Sequence, residues 1–294
     1  MRERLVSVLL VLVLSRASAV AADPLSVFVS VVPLQTFVER IGGDHTQVVT
    51  LVQPGQNPHA YEPTARQIAS LAAADLYVRT GVGFEQAWMS RLQAANPRMT
   101  LLDARDGLEG REHDHHHHHG HDHDHGHADP LDAIDPHVWT SPQRVKLMAA
   151  RIRDALTALA SEHAAAFQAN YDRFAADLEA LDEEIRARLA SLDDRHFMVY
   201  HPAWGYFADD YGLTQIAIEH EGKEPGPRAL ARLIEQARQR GTRVIFVEPQ
   251  YNSAAAEQIA AAIGGEVVVI DPLSGDYFNN LRHLAKQLAP EQDS

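Results

Sequence analysis

The sequence predicts an α/β protein of two lobes, each built on a four-stranded, mainly parallel sheet, with a long connector helix between them. Three observations carry this reading. Short β-branched runs alternate with helical stretches, the pattern of parallel strands covered on both faces. The alternation comes in two blocks, and between them lies a long stretch with helical periodicity. The 294 residues are enough for about two domains, and a hydrophobic fraction of 45% with 22% charged residues suits a packed core rather than a disordered chain.

Met1 to Ala22 opens with Arg2 and Arg4, continues through the apolar run Leu5 to Leu14 and ends in small residues around Ala17-Ser18-Ala19 and Ala19-Val20-Ala21. This reads as a secretory signal peptide cleaved near residues 19–22, because ten apolar residues fall short of the roughly 20 that span a bilayer. The expected product is soluble and periplasmic. Residues 23–141 form the first lobe, with strands expected at Leu25 to Val32, Gln47 to Val52, Leu76 to Thr80 and Met99 to Asp103. Residues 142–192 form the helical region. Ser141-Pro142 starts it, and a break is expected near Ser161, because fifty residues of straight helix would measure about 75 Å. Beyond the break, Tyr171, Phe174, Leu178, Leu181, Ile185 and Leu189 recur at spacings of three and four, the stripe of a long amphipathic connector. Residues 193–294 form the second lobe, with strands expected at His196 to Tyr200, Thr214 to Glu219, Arg243 to Glu248 and Glu266 to Ile270.

Charge and composition narrow the function. The formal charge is −14, so a nucleic-acid groove would work against the overall field, whereas cations are attracted. The absence of cysteine excludes disulfides, thiol catalysis and thiolate metal sites. Eighteen histidines are the anomaly, and ten of them lie in one segment, 112–129. There His113, His115, His116, His117, His118, His119, His121, His123, His125 and His127 are interleaved with Asp114, Asp122, Asp124 and Asp129. With almost no apolar residue the segment cannot offset the entropy of ordering its backbone, so a mobile loop is expected. Its composition reads as several weak, exchangeable metal sites.

Three other histidines sit where strands end. His59 lies in Asn57-Pro58-His59-Ala60-Tyr61-Glu62-Pro63, His137 in Asp135-Pro136-His137-Val138-Trp139, and His201 in Tyr200-His201-Pro202-Ala203-Trp204-Gly205. Flanking prolines restrict the backbone and reduce the entropy lost on using each ring as a ligand, and the carboxyl ends of strands line the ligand crevice of open α/β sheets. Asp271, in Ile270-Asp271-Pro272-Leu273, follows the last strand in the same way; its alternative role is a turn or cap residue. Three imidazoles and one carboxylate suit tetrahedral Zn²⁺ better than manganese or calcium, although copper and nickel also bind imidazole strongly. Glu248 reads as a turn or cap residue, with a place lining the cleft as the alternative, and His220 as part of a solvated loop, with a transient ligand as the alternative. Trp139, Trp204 and Tyr206 are expected to pack around the site.

Taken in order, Val32-Pro33-Leu34, Ile41-Gly42-Gly43-Asp44, the His59 motif, Ala74-Asp75-Leu76, the His137 motif, His201 with Gly205-Tyr206-Phe207 and Tyr211-Gly212-Leu213, Glu248-Pro249 and Asp271-Pro272-Leu273 resemble the periplasmic metal-binding proteins of ABC transporters. The likeness is to the zinc-uptake branch of the cluster A-I family and spans nearly the whole mature chain. The resemblance implies two (β/α) lobes, zinc held in the cleft by His59, His137, His201 and Asp271, and delivery to a membrane permease. It also marks Asp271 as the least secure ligand and Glu62 as its nearby substitute. A monomer without enzymatic activity is expected, with a periplasmic metallochaperone as a candidate loader. The competing readings are a zinc hydrolase, in which three histidines leave a position for water, and an adhesin or metal buffer on the same fold. The hydrolase lacks a His-Glu-x-x-His helix and an evident nucleophile motif.

Overall fold

The computed structural model describes residues 23–111, 134–220 and 222–290. The first sheet holds β1 (Leu25–Val29), β2 (Thr46–Thr50), β3 (Leu76–Arg79) and β4 (Thr100–Asp103) in the order β2-β1-β3-β4. The second holds β5 (His196–Val199), β6 (Thr214–Ala217), β7 (Val244–Val247) and β8 (Glu266–Val269) in the order β6-β5-β7-β8. Every pairing is parallel. Seven of the eight strands stop one to three residues short of the ends of the apolar runs in the sequence, whereas β4 continues to Asp103, the end of its run. The leftover residues turn out of the sheet, and these exits carry the candidate site residues.

Helices α1 (Val32–Gly42), α2 (Ala65–Leu71) and α3 (Gly83–Ala95) accompany the first sheet. In α1, Pro33 occupies the first turn, where its missing N–H costs nothing, and Leu34, Phe37, Val38 and Ile41 form the buried face. The helical region divides into α4 (Pro142–Leu159) and α5 (Ala164–Leu189), separated by the short turn Ser161–His163. Ser141 caps α4 by accepting from the Arg144 N–H at 3.1 Å, with Pro142 at the first helical position. At 26 residues, α5 is about 39 Å long. It packs on α4, on α1 from the first half and on α9 (Tyr277–Leu288) from the second. Its buried residues include Phe174, Leu178, Leu181, Ile185 and Leu189, the stripe legible in the sequence, whereas Tyr171 is only partly buried. Around the second sheet lie α6 (Gly205–Tyr211), α7 (Pro227–Arg240), α8 (Ala254–Ile263) and α9.

One continuous apolar cluster runs from Val27 and Phe28 in the first sheet through Phe174 and Leu181 on α5 to Phe246 and Leu281 in the second half. A smaller cluster under α7 and α8 belongs to the second half alone. Sliding the halves past each other would therefore disrupt shared core packing, which favours small motions over wide hinge opening. Among the described residues no helix is long and apolar enough to cross a membrane. Residues 1–22 and the histidine-rich segment 112–129, each the subject of an expectation above, lie outside the described residues.

Phe174 is fully buried, its ring 5.7 Å from Phe37 and 6.1 Å from Phe278. Phe174→Ala is expected to cost about 3–5 kcal/mol in urea unfolding of the metal-free protein. A loss no larger than the roughly 0.5 kcal/mol of a surface change would mean that α5 is not the packed axis of the fold.

Candidate metal centre

Each sheet presents its strand carboxyl ends to the same cleft. His59 follows β2, His137 follows β4 after the long excursion, and His201 follows β5. Their ligating nitrogens all lie within 4.8 Å of one another. The Nε2 atoms of His59 and His201 are 3.2 Å apart. Two nitrogens sharing a tetrahedral zinc at about 2.0–2.1 Å would be separated by about 3.3–3.4 Å, so this pair is already spaced for one ion. The rings meet at angles, with His137 and His201 centroids 5.2 Å apart at 73° and His59 and His201 centroids 5.0 Å apart at 67°. They line a cavity of about 10 Å³, the room of one water or ion. A wider groove of about 620 Å³ beside α4 and α5 has no histidine in its lining.

Local structure explains how the rings are aimed. His59 is exposed, and Asn57 Oδ1 accepts from its backbone N–H at 2.8 Å, a turn that the two flanking prolines favour. The first turn of α3 approaches closely. A Cβ on Gly83 would sit 3.2 Å from His59 Nδ1 and 3.3 Å from its Cα, so a glycine here gives the ring its place. His137 is buried, and its Nδ1 lies 2.7 Å from Asp135 Oδ1, which also accepts the His137 backbone N–H at 3.0 Å. His201 is likewise buried, with Nδ1 2.7 Å from Glu219 Oε1. A carboxylate at Nδ1 holds the proton there and leaves the Nε2 lone pair for a metal. Tyr251 stacks on His201 at 4.9 Å and 20°, and Trp139 lies 5.3 Å from His137 with its indole N–H donating to the Pro272 carbonyl at 2.7 Å.

The chain from Val27 to Pro290 matches the family model described as zinc-uptake complex component A, periplasmic (ZnuA). The chain belongs to this family. Members are solute-binding proteins of the cluster A-I type, and metal binding is the property they share. A crystal structure of ZnuA is similar over 91% of this chain and 98% of that one, with 39% identity and a TM-score of 0.83. A ZnuA deletion mutant with zinc bound is similar over 91% and 97%, with 39% identity and a TM-score of 0.82. The zinc-binding protein AdcA of Streptococcus pyogenes serotype M3 is 29% identical over 99% of this chain, which spans 62% of that relative's length.

Two expected ligands are not gathered with the three rings. Asp271 Oδ1 accepts from the Leu273 N–H at 2.9 Å and from Gln250 Nε2 at 2.8 Å, so this oxygen caps the turn that Pro272 imposes. The turn role weighed above is the one this geometry supports. Glu62 is exposed because the chain around it is extended and its neighbours Tyr61 and Pro63 are the buried ones. Glu248 keeps its turn position, its carbonyl accepting from the Tyr251 N–H at 3.2 Å, and its side chain adds a second contact. It is buried, and its Oε2 accepts from the His201 N–H at 3.3 Å. Asp135 and Glu219, which orient two of the rings, had no assigned role in the sequence reading. Asp135 sits in a quoted motif two residues from His137, a signal that could have been used; Glu219 is eighteen residues from its histidine, and only the pairing of β5 with β6 brings it there.

Burial is the largest influence on His201 and pushes its pKa below the ordinary 6.5, with the Glu219 hydrogen bond opposing it. The unfolded chain therefore binds more protons between pH 6.5 and the lower folded pKa, and this histidine's share of stability, present above 6.5, is lost as pH falls through that interval. Metal-free protein melted across pH 5 to 8 should lose stability on the acid side more steeply than a His201→Gln variant; identical slopes would show that the ring is not held neutral by its surroundings.

Proposed function

We propose that this chain captures zinc in the periplasm and hands it to the membrane permease of an ABC transporter for import. The observation that carries the reading is the convergence of three imidazoles from distant parts of the chain on one ion-sized cavity, two of them with Nδ1 held by buried carboxylates. His59, His137 and His201 are the proposed ligands, and water on the exposed His59 side completes the shell. Such a nitrogen-rich shell favours zinc over manganese. The relatives' names support the same metal, since one is called a zinc-binding protein and another was solved with zinc bound.

The acidic chain and the histidine-rich segment, with its ten weak candidate ligands from His113 to His127, would concentrate the ion near the cleft. The buried pair then holds it more tightly than His59, whose exposure makes it the ring that admits and releases the metal. We assign residues 23–141 and 193–294 to the two ligand-bearing lobes and 142–192 to the stiff connection. A monomer that carries and releases its cargo requires no chemistry on the zinc. Capture is preferred to hydrolysis because Glu219 and Glu248, the buried carboxylates beside His201, are engaged in holding that histidine.

Zinc titration of the chain beginning at Asp23 tests this directly. His59→Ala, His137→Ala and His201→Ala are each expected to abolish tight binding, Asp271→Asn and Glu62→Gln to retain it, and deletion of residues 113–127 to remove only additional weak stoichiometry. Tight binding that survives all three histidine substitutions would reject the site. Affinity should also fall on acidification below about pH 6.5, where protons compete for imidazole nitrogen.

A further inference from the structure

Arg111 is the last described residue before the histidine-rich segment, and Asp135 stands two residues ahead of His137. The Asp135 N–H donates to the Arg111 carbonyl at 2.9 Å, which ties the two ends of the excursion together. Tyr206, in the first turn of α6, reaches this junction from the other half of the molecule. Its hydroxyl accepts from the Arg111 N–H at 3.0 Å and donates to the Asp135 carbonyl at 3.0 Å. The Arg111 side chain crosses in the opposite direction. Its guanidinium lies 4.0 Å from Asp135 Oδ2 and 3.5 Å from Asp209 Oδ1 on α6. It rests against the bare backbone of Gly205, where a Cβ would come within 2.4 Å of Arg111 Nε.

One carboxylate is thus addressed from two sides. Asp135 Oδ1 holds His137 Nδ1 at 2.7 Å, while Oδ2 faces the guanidinium. The helix to which Arg111 and Tyr206 belong or bind, α6, begins four residues after His201. We propose that Arg111 and Tyr206 form an interlobe clasp that positions the metal centre, setting the Asp135 carboxylate against His137 and fixing the His137 loop to the helix that follows His201. This rests on the zinc-capture reading of the three histidines. Arg111 and Tyr206 are positioning residues: they act through Asp135 and touch no ligand nitrogen.

The test is competition titration of the exported chain with zinc against a chelating dye, on Arg111→Gln and Tyr206→Phe. Tyr206→Phe keeps the ring that packs under Arg144 at 4.7 Å, so it removes only the hydroxyl. Residues that orient a ligating histidine typically contribute 10–100-fold in metal affinity, and each variant is expected to weaken zinc binding about tenfold. The decisive readout is coupling. Arg111→Gln should add little to Asp135→Asn, which already removes the carboxylate through which it acts, and should add its full factor to Glu219→Gln, which disturbs the other histidine. Unchanged affinity in both single variants overturns the clasp, as does an equal added factor in both backgrounds, the signature of a general loss of stability. If the parent chain itself fails to bind zinc tightly, the capture reading falls and the clasp with it. If the parent binds and Asp135→Asn weakens it while Arg111→Gln and Tyr206→Phe do not, only the clasp falls.

Discussion

The structure depends on a close convergence held in place by its surroundings: three imidazoles from separate loops bring ring nitrogens within 4.8 Å of one another. Two of the facing nitrogens are 3.2 Å apart. With Nδ1 of His137 and His201 already occupied by Asp135 and Glu219, their Nε2 atoms are left as acceptors, and the His59 Nε2–H can donate to the one on His201. A divalent cation would take the place of that shared proton and satisfy all three rings at once. The carboxylates keep His137 and His201 from turning away, and burial shields these two rings from water, so the cost of placing them is met during folding, whereas His59 stays exposed.

That prepayment shows in the electrostatics of the second half. Glu248 is pushed well above the ordinary carboxylate range, first by burial and further by Glu219 and Asp271 nearby. A buried acid with a raised pKa gives stability that is present at low pH and lost as pH rises through its folded value, the opposite sense to His201. In the first half, Glu85 is likewise raised by burial, although its two oxygens accept from the backbone N–H groups of Thr80 and Gly81 at 3.1 and 2.8 Å. It thereby shapes the turn that leads to Gly83 and the His59 pocket. Burial disfavours the charged form of both acids, and each accepts backbone N–H groups of a loop beside the candidate site.

The two sheets share one strand order, and the candidate ligands use it differently. His201 leaves β5, a central strand, whereas His59 leaves β2, an edge strand, on a loop exposed to solvent. His137, although it follows the other edge strand, β4, is buried and held by Asp135, so His59 is the one exposed ring of the three. The core that runs through α5 is shared by both halves, so a wide relative movement of the halves would disrupt common packing.

Much of this was legible in the amino-acid order. Alternating β-branched runs specified the parallel sheets, the Ser141-Pro142 start and the break near Ser161 specified the paired helices, and three Pro-flanked histidines at strand ends marked the candidate ligands, because these features arise from local sterics and hydrophobic period. What the sequence could not decide was which polar groups meet across the cleft. Asp271 and Glu62 were plausible neighbours by type, but one oxygen of Asp271 caps a turn and Glu62 faces solvent. Glu219, Glu248, Arg111 and Tyr206 reach the site only because strand pairing and the docking of α6 bring together residues far apart along the chain. A carboxylate's role follows from the donor it meets in space, and only the tertiary structure sets that encounter.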